Sequence, residues 1–388
     1  MREADARSGR RLAGASRFKG AIEPIDSNGR LSVTAQDGGV AKDAPFPVRD
    51  HGDAAGRLIP WLTANHALVA ADVALIACRI VHGGDRYREA TLVQGAVLDD
   101  IERLDELAPL HNAASAAILR AMGTTELGGR PAVAVFDTAF HSTIPEVAYR
   151  YGIDWELAER HGIRRFGFHG TSHQYLALRY CELTATPLAQ ANIVSLHLGA
   201  GSSVTAIKNG KSIDTSMGFT PLEGLMMGTR SGDIDASIVG YLARKEGVSV
   251  AEVERWLNKR SGLLGVSGRS QDTRVLSQHA ATDHRAQLAL EMFAYRAKKY
   301  TGAYLAALGG ASAIVFGGGI GENSPDVRRL ICEGLEWFGL SLDPEKNART
   351  IDAEGRITKE GSRLHAYVIP TQESLMIAHE AVRAFPNP

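Results

Sequence analysis

The chain lacks most of the features that would place it outside the ordinary globular enzymes. Three cysteines in 388 residues (Cys78, Cys181 and Cys332) are too few and too scattered for a disulfide framework or a CxxC metal site, so a reducing cytoplasm is expected. No apolar run approaches the ~20 residues that a membrane-spanning helix requires. The first residues, Met1 to Ser8, carry no hydrophobic stretch of the secretory kind. Net charge is also missing: Lys and Arg total 43, Asp and Glu 44, for a formal charge of -1. A surface given over to nucleic acid or anionic lipid is therefore excluded, although small basic pockets are not. What the chain has in excess is glycine, 41 residues, well above the ~7% typical of proteins. In a folded enzyme such glycine serves tight turns and loops where backbone approaches a ligand.

Apolar segments ending in glycine-rich turns read as strands: Val73 to Ile80, Ala132 to Phe136, Ile193 to Leu198 and Ala313 to Phe316. Helical patterns alternate with them, which predicts an α/β protein. The clearest helix spans His284 to Leu308. Leu288, Met292, Tyr295 and Ala297 are expected on its apolar face, with Lys298 and Lys299 outward. Asn192 to Asp214 differs, reading as strand, glycine loop, strand, an Asn209-Gly210 hairpin turn and a further strand. No linker, low-complexity tract or sequence repeat divides the chain.

Several clusters can carry chemistry. Gly199-Ala200-Gly201-Ser202-Ser203 is either an anion-binding nest of amides or a plain β-turn. Gly210-Lys211-Ser212 is not a Walker loop, because Thr205 stands where that motif requires glycine. Gly317 to Pro325 follows a strand and opens a helix, with Ser324 expected as its cap, which favours nucleotide contact over a structural turn. His169 and His173 lie four apart, but Gly170 replaces the glutamate of a zinc protease. By itself His169 is a hydrogen-bond donor or a packed core histidine. Arg230 offers a guanidinium fork to an anion, or pairs with Asp233. Arg79 and Asp137 close two of the strands.

Taken together, Arg79 to Gly84, Phe136 to His141, Arg165 to His173, Gly218 to Asp235, Ser261 to Gly268, Gly319 to Ser324 and Ile369 to Glu373 resemble the acetate kinase family, in order, from about Arg79 to about Met376. Propionate and butyrate kinases share parts of the pattern. The resemblance implies an α/β, two-lobed, actin-like ATPase fold of duplicated ribonuclease H-like domains around a central cleft. It assigns residues 1–138 and 375–388 to an N-terminal lobe on the acetate side, and 139–374 to a nucleotide-binding lobe. It further implies that Arg79, His111, Asp137, His169 and Arg230 are catalytic, and that Arg79 also binds substrate. Val81, Leu110, Phe168 and Pro221 are implied to form a pocket for the acetate methyl. Nucleotide contacts are implied for His197, Leu198, Gly199, Ala200 and Gly201, for Asp272, Thr273 and Arg274, and for Gly319, Ile320, Gly321, Glu322 and Asn323. Glu373 is implied to bind Mg²⁺, or Mn²⁺ in its place. The implied reaction is reversible phosphoryl transfer between ATP and acetate, giving acetyl phosphate and ADP, by a cytoplasmic homodimer. No nucleic-acid or membrane partner is implied. Propionate or butyrate kinase is the alternative.

The pattern is departed from at Ala200, where asparagine is usual, at Ala236, where proline is usual, and at Thr273, where an aromatic is frequent. The family's opening strand and Asn-x-Gly-Ser-Ser-Ser-x-Lys loop have no counterpart ahead of Ala13 to Ile22, itself expected to be a later strand of that sheet. A nucleotide-binding homologue with impaired turnover is thus a second alternative.

Overall fold

The computed structural model describes residues 18–35, 40–65, 69–106 and 111–385. They form two compact units, one of residues 1–139 and 373–388, the other of 140–372.

The first unit holds two small sheets. Strands β1 (Phe18–Glu23), β2 (Arg30–Ala35) and β3 (Val40–Pro45) form an antiparallel meander. The alternation of buried Leu31 and Val33 with exposed Ser32 and Thr34 turns one face of β2 inward. The second sheet has the order β4-β6-β5, from β4 (Ile76–Ile80), β5 (Thr91–Leu92) and β6 (Ala132–Phe136). Its parallel pair β4–β6 sets Ile80 opposite Phe136, and Ile80, Ala134 and Phe136 join the core around Ile101 and Ala116. The helix Glu373–Ala384 covers the other face, burying Ala381 against Val133 and Val135. Strand structure thus begins at Ile76, not at Val73, because Ala70–Asp72 is a 3-10 turn. The expected strand from Ala13 to Ile22 overlaps β1, which sits in the meander; the expectation for the leading segment falls on residues outside the described ones.

The second unit is built on one six-stranded sheet of order β11-β12-β10-β7-β8-β9. Its strands are β7 (Ile193–Leu198), β8 (Ser202–Lys208), β9 (Lys211–Thr215), β10 (Ala313–Gly317), β11 (Gly355–Arg356) and β12 (His365–Val368). Strand β10 runs parallel to both β7 and β12, while β7, β8 and β9 are antiparallel. The β8–β9 turn is the Asn209-Gly210 pair, with φ of 53° and 75° at the two residues, the double left-handed geometry of a tight hairpin. Strands β7 and β10 are buried almost throughout, as expected of strands covered on both faces.

The helix His284–Leu308 packs on this sheet with a different face from the one its large apolar residues predict. Ala286, Leu290, Phe293, Ala297, Tyr304 and Leu308 are buried, while Leu288, Met292 and Tyr295 are 37%, 41% and 63% exposed. Both faces of this helix carry apolar residues, and the alanine-rich one permits the closer approach.

Candidate active site

In the first unit, β4 and β6 end side by side and set two charged groups together. Asp137 follows β6, is buried, and donates its amide to the Ile80 carbonyl at 2.9 Å. Arg79 donates Nε to Oδ1 of Asp137 at 2.9 Å and Nη2 to Oδ2. Asp137 and, more weakly, Glu373 raise the Arg79 pKa above its ordinary value. Nη1 of Arg79 has no hydrogen-bond partner among the described residues. The turn after β4 is held by groups that the motif reading passed over. The buried Asn112 side chain accepts from the His82 amide at 3.1 Å and donates to the His82 carbonyl at 2.9 Å; Thr138 Oγ1 accepts from the Gly83 amide at 3.0 Å. Val81 is half-buried in this turn, His111 is exposed ahead of the helix Asn112–Met122, and Leu110 lies outside the described residues.

In the second unit, the C-terminal ends of β7 and β10 are neighbours, Gly317 standing opposite His197. The turn Gly199–Ser202 and the short helix Gly318–Asn323 therefore emerge together. Gly318 has φ of 75°, and a methyl there would meet the Leu198 carbonyl at 2.6 Å, so only glycine fits. Ser324 does not cap the next helix, Pro325–Cys332, with its hydroxyl; the glycine cluster itself is helical, and Asn323 Nδ2 donates back to Gly319 at 3.1 Å.

A third segment closes on this turn. The Gly228 amide donates to the Ala200 carbonyl at 3.1 Å, and the Leu263 and Leu264 amides donate to Met227 and Gly228 at 2.9 Å each. Gly262, with φ of 62°, stands where a methyl would lie 2.1 Å from the Met227 carbonyl. Gln271 packs on Gly228, which brings the 272–274 stretch to the same end of the sheet.

Among the described residues, the Arg230 side chain is held in this frame by one hydrogen bond, Nη1 to the Pro221 carbonyl at 2.8 Å. It does not pair with Asp233, which instead accepts from Arg296 at 3.1 Å and Tyr300 at 2.8 Å. The half-buried guanidinium has no ion pair among the described residues, and burial holds its pKa below the ordinary value. His169 has φ of 55° at the head of the helix Gly170–Thr184, an uncommon backbone for a side chain and a mark of functional sites. Its ring lies 4.3 Å from that of His197. A methyl on Gly201 would stand 3.0 Å from Nη2 of Arg230 and 3.3 Å from Nε2 of His169. Glycine, imidazole and guanidinium thus converge on one spot. Of the sequence alternatives, the Arg230–Asp233 pair is not formed, and His169 is half-buried.

Other implied residues have structural tasks as well. Asp272 caps the helix Thr273–His279 through the Arg274 amide at 2.9 Å and pairs with the exposed Arg274 guanidinium at 2.7 Å. Glu322 is buried, accepting from the Thr371 amide at 2.9 Å and the Thr371 hydroxyl at 2.8 Å. Phe168 is buried with its carbonyl accepting from His141 Nε2 at 2.9 Å. Arg328 carries no sequence signal. Fully buried, it donates to the Gly321 and Glu322 carbonyls at 2.8 and 2.9 Å and to Asn347 and Thr350, and burial lowers its pKa to about 10.

The acetokinase family matches residues 11–379 of the chain. The acetate kinase of Solibacter usitatus is 48% identical over 94% of this chain and 89% of the relative, and that of Chloroherpeton thalassium is 46% identical over 94% and 90%. Among solved structures, Porphyromonas gingivalis acetate kinase superposes with a TM-score of 0.90 at 37% identity, covering 96% of this chain and 94% of that one. A propionate kinase from Francisella tularensis superposes with a TM-score of 0.87 at 39% identity, covering 94% and 92%.

Proposed function

The chain belongs to the acetokinase family of ATP-using phosphotransferases, and from that premise we propose that it transfers a phosphoryl group reversibly between ATP and acetate, giving acetyl phosphate and ADP. One observation carries the reading: Arg230, a half-buried guanidinium without a carboxylate partner among the described residues, aims Nη2 at the spot that His169 also faces. A desolvated cation of this kind gains most from an anion placed against it.

Phosphoryl transfer asks a protein for in-line positioning and for charge on the equatorial oxygens, with little covalent help. Arg230 binds those oxygens and His169 donates a hydrogen bond to them. Arg79 presents Nη1 to the acetate carboxylate, its fork steadied by Asp137, with His111 as a further polar contact. The family resemblance assigns the acetate methyl to Val81, Leu110, Phe168 and Pro221. The adenine nucleotide contacts His197 to Gly201, Asp272 to Arg274 and Gly319 to Asn323. Arg274 and Asp272 also pair with each other, at 2.7 Å.

No group of three or more His, Cys, Asp or Glu side chains placed to hold a metal ion occurs among the described residues. Nucleotide-bound Mg²⁺ needs only one or two protein carboxylates besides phosphate and water, and Glu373, near enough to Arg79 to raise its pKa, fits that demand. The ion, Mg²⁺ or Mn²⁺, would neutralise phosphate charge when bound.

The exposed Leu288, Met292 and Tyr295 on one helix, with Ile238 and Tyr241 exposed on the helix Ser237–Glu246, support a homodimer. Three free thiols suit a reducing cytoplasm. The similarity to a propionate kinase keeps propionate as the second substrate reading. Trapping the acyl phosphate as a hydroxamate, with ATP and acetate, propionate or butyrate in parallel, tests both. The highest kcat/KM is expected with acetate; a clear preference for propionate transfers the reading to that acid, and no ATP-dependent product with any of them refutes it.

A further inference from the structure

Resting on the reading of His169 as a donor to the transferring phosphoryl group, we propose that a buried hydroxyl–imidazole relay, Ser195–His173–Ser203, fixes His169 as its Nε2–H tautomer and makes Ser203 a positioning residue for the reaction. Ser195 Oγ lies 2.7 Å from Nδ1 of His173, Nε2 of His173 lies 2.8 Å from Ser203 Oγ, and Ser203 Oγ lies 2.8 Å from Nδ1 of His169. Ser195, His173 and Ser203 are all 0% exposed.

Each hydroxyl has one hydrogen and each neutral imidazole one N–H, so the relay runs in one of two directions. In the first, Ser195 donates to Nδ1 of His173, Nε2–H of His173 donates to Ser203, and Ser203 donates to Nδ1 of His169. Both hydroxyl hydrogens are then used, and the N–H of His169 is left at Nε2. In the second, His169 donates Nδ1–H to Ser203, Ser203 donates to His173, and His173 donates to Ser195. The Ser195 hydroxyl hydrogen then has no acceptor among the described residues. A buried donor left without an acceptor keeps its full desolvation cost, so the first direction is the one populated.

The neighbours leave that polarity undisturbed. His173 has no carboxylate against it, and burial holds its pKa well below the ordinary value. The ring of His141 lies 5.9 Å from that of His173. His141 is itself neutral, donating Nε2–H to the Phe168 carbonyl and accepting from Ser212 at 2.9 Å. Among the described residues, Arg230 stands beside the His169 ring, its Nη2 facing the same spot as Nε2 of His169. A neutral Nε2–H can thus meet a phosphoryl oxygen without any proton being moved. The strand pattern explains why this is hidden in the sequence: Ser195 and Ser203 come from β7 and β8, which pair with Ser203 opposite His197.

Protein labelled with ¹⁵N at its histidine rings tests this, the His169 signals being those lost in His169→Gln. At neutral pH, Nδ1 of His169 is expected to resonate as an unprotonated nitrogen and Nε2 as a protonated one. Ser203→Ala is expected to mix the tautomers and lower kcat about 10- to 100-fold, the scale of removing an orienting partner, with KM for ADP little changed; Ser203→Thr is expected to restore both. A wild-type His169 protonated at Nδ1, or unchanged His169 ring shifts in Ser203→Ala, overturns the proposal. Should Ser203→Ala fail to fold, the wild-type spectrum alone decides the tautomer. Wild-type turnover in His169→Gln would instead refute the reading on which the proposal rests, whatever the spectra show.

Discussion

The guanidinium of Arg79 grips the carboxylate of Asp137 at two points although 58 residues separate them, with Nε and Oδ1 2.9 Å apart. The parallel register of β4 and β6 makes this pairing: Arg79 opposes Val135, and Asp137 is the first residue past the strand. The carboxylate is buried and the guanidinium side chain 39% exposed, so the pair is intermediate between the surface and interior limits.

Arg79→Ala is therefore expected to destabilise the protein by about 1–3 kcal/mol, by removing the guanidinium that faces the buried Asp137 carboxylate. The double variant Arg79→Ala/Asp137→Asn is expected to recover part of that loss. Urea unfolding of the four members of the cycle reads the coupling; strictly additive losses would mean that the pair is incidental. Acetate KM should rise in Arg79→Ala, and an unchanged value would remove Nη1 from carboxylate binding.

Gly201→Ala places a methyl 3.0 Å from Arg230 and 3.3 Å from His169. Both neighbours are side-chain ends and yield by a few tenths of an ångström, so the melting temperature should move little. Turnover should fall by about tenfold or more, since even small misplacements of transition-state contacts are costly. Full activity in a folded Gly201→Ala protein would show that the reacting group lies elsewhere.

How much of this was legible depended on the range of the interaction. The Asn209-Gly210 hairpin, the strands β7 and β10 and the glycine-rich crossings were readable because local backbone geometry dictates them. Arg230 was readable as a residue, but not in its environment. Asp233 looked like its partner from three positions away, yet it is bound by Arg296 and Tyr300, 63 and 67 residues distant. The buried face of His284–Leu308 was misread because helical periodicity does not say which of two apolar faces the sheet will accept. Arg328 has no signal at all, and in the relay His173 and Ser203 stand out in the sequence but not their pairing, because the carbonyl, amide and imidazole partners come from other elements and no spacing rule describes them.

Acid should unfold the protein through its buried histidines. Burial depresses the pKa of His141 from 6.5 to about 4, and that of His82 likewise. Depressed histidines contribute stability that is fully present above the unfolded-state value of 6.5 and lost as pH falls toward 4, because the unfolded chain binds the extra protons. His141 alone accounts for a change on the order of 3 kcal/mol across that window. Denaturant midpoints between pH 7 and 4 should fall steeply in the wild type and less steeply in His141→Gln. Equal slopes would contradict the assignment of a neutral buried His141.

Substrate size should respond to Val81, half-buried in the turn after β4. Val81→Ala is expected to shift the propionate-to-acetate ratio of kcat/KM toward propionate by about 1 kcal/mol, the scale of one methylene. An unchanged ratio would mean that the methyl pocket does not include this residue.

The most direct test of the central claim follows acetyl phosphate and ADP by ³¹P NMR in the presence of Mg²⁺, with wild-type protein and with the Arg230 variants. The wild type should convert the acyl phosphate signal into the γ-phosphate of ATP. Arg230→Ala should slow that conversion by about 10³-fold or more, and Arg230→Lys should rescue little, because a point charge cannot reproduce the two-point fork. Transfer at the wild-type rate in Arg230→Ala, or wild-type protein that yields no ATP, would contradict the account.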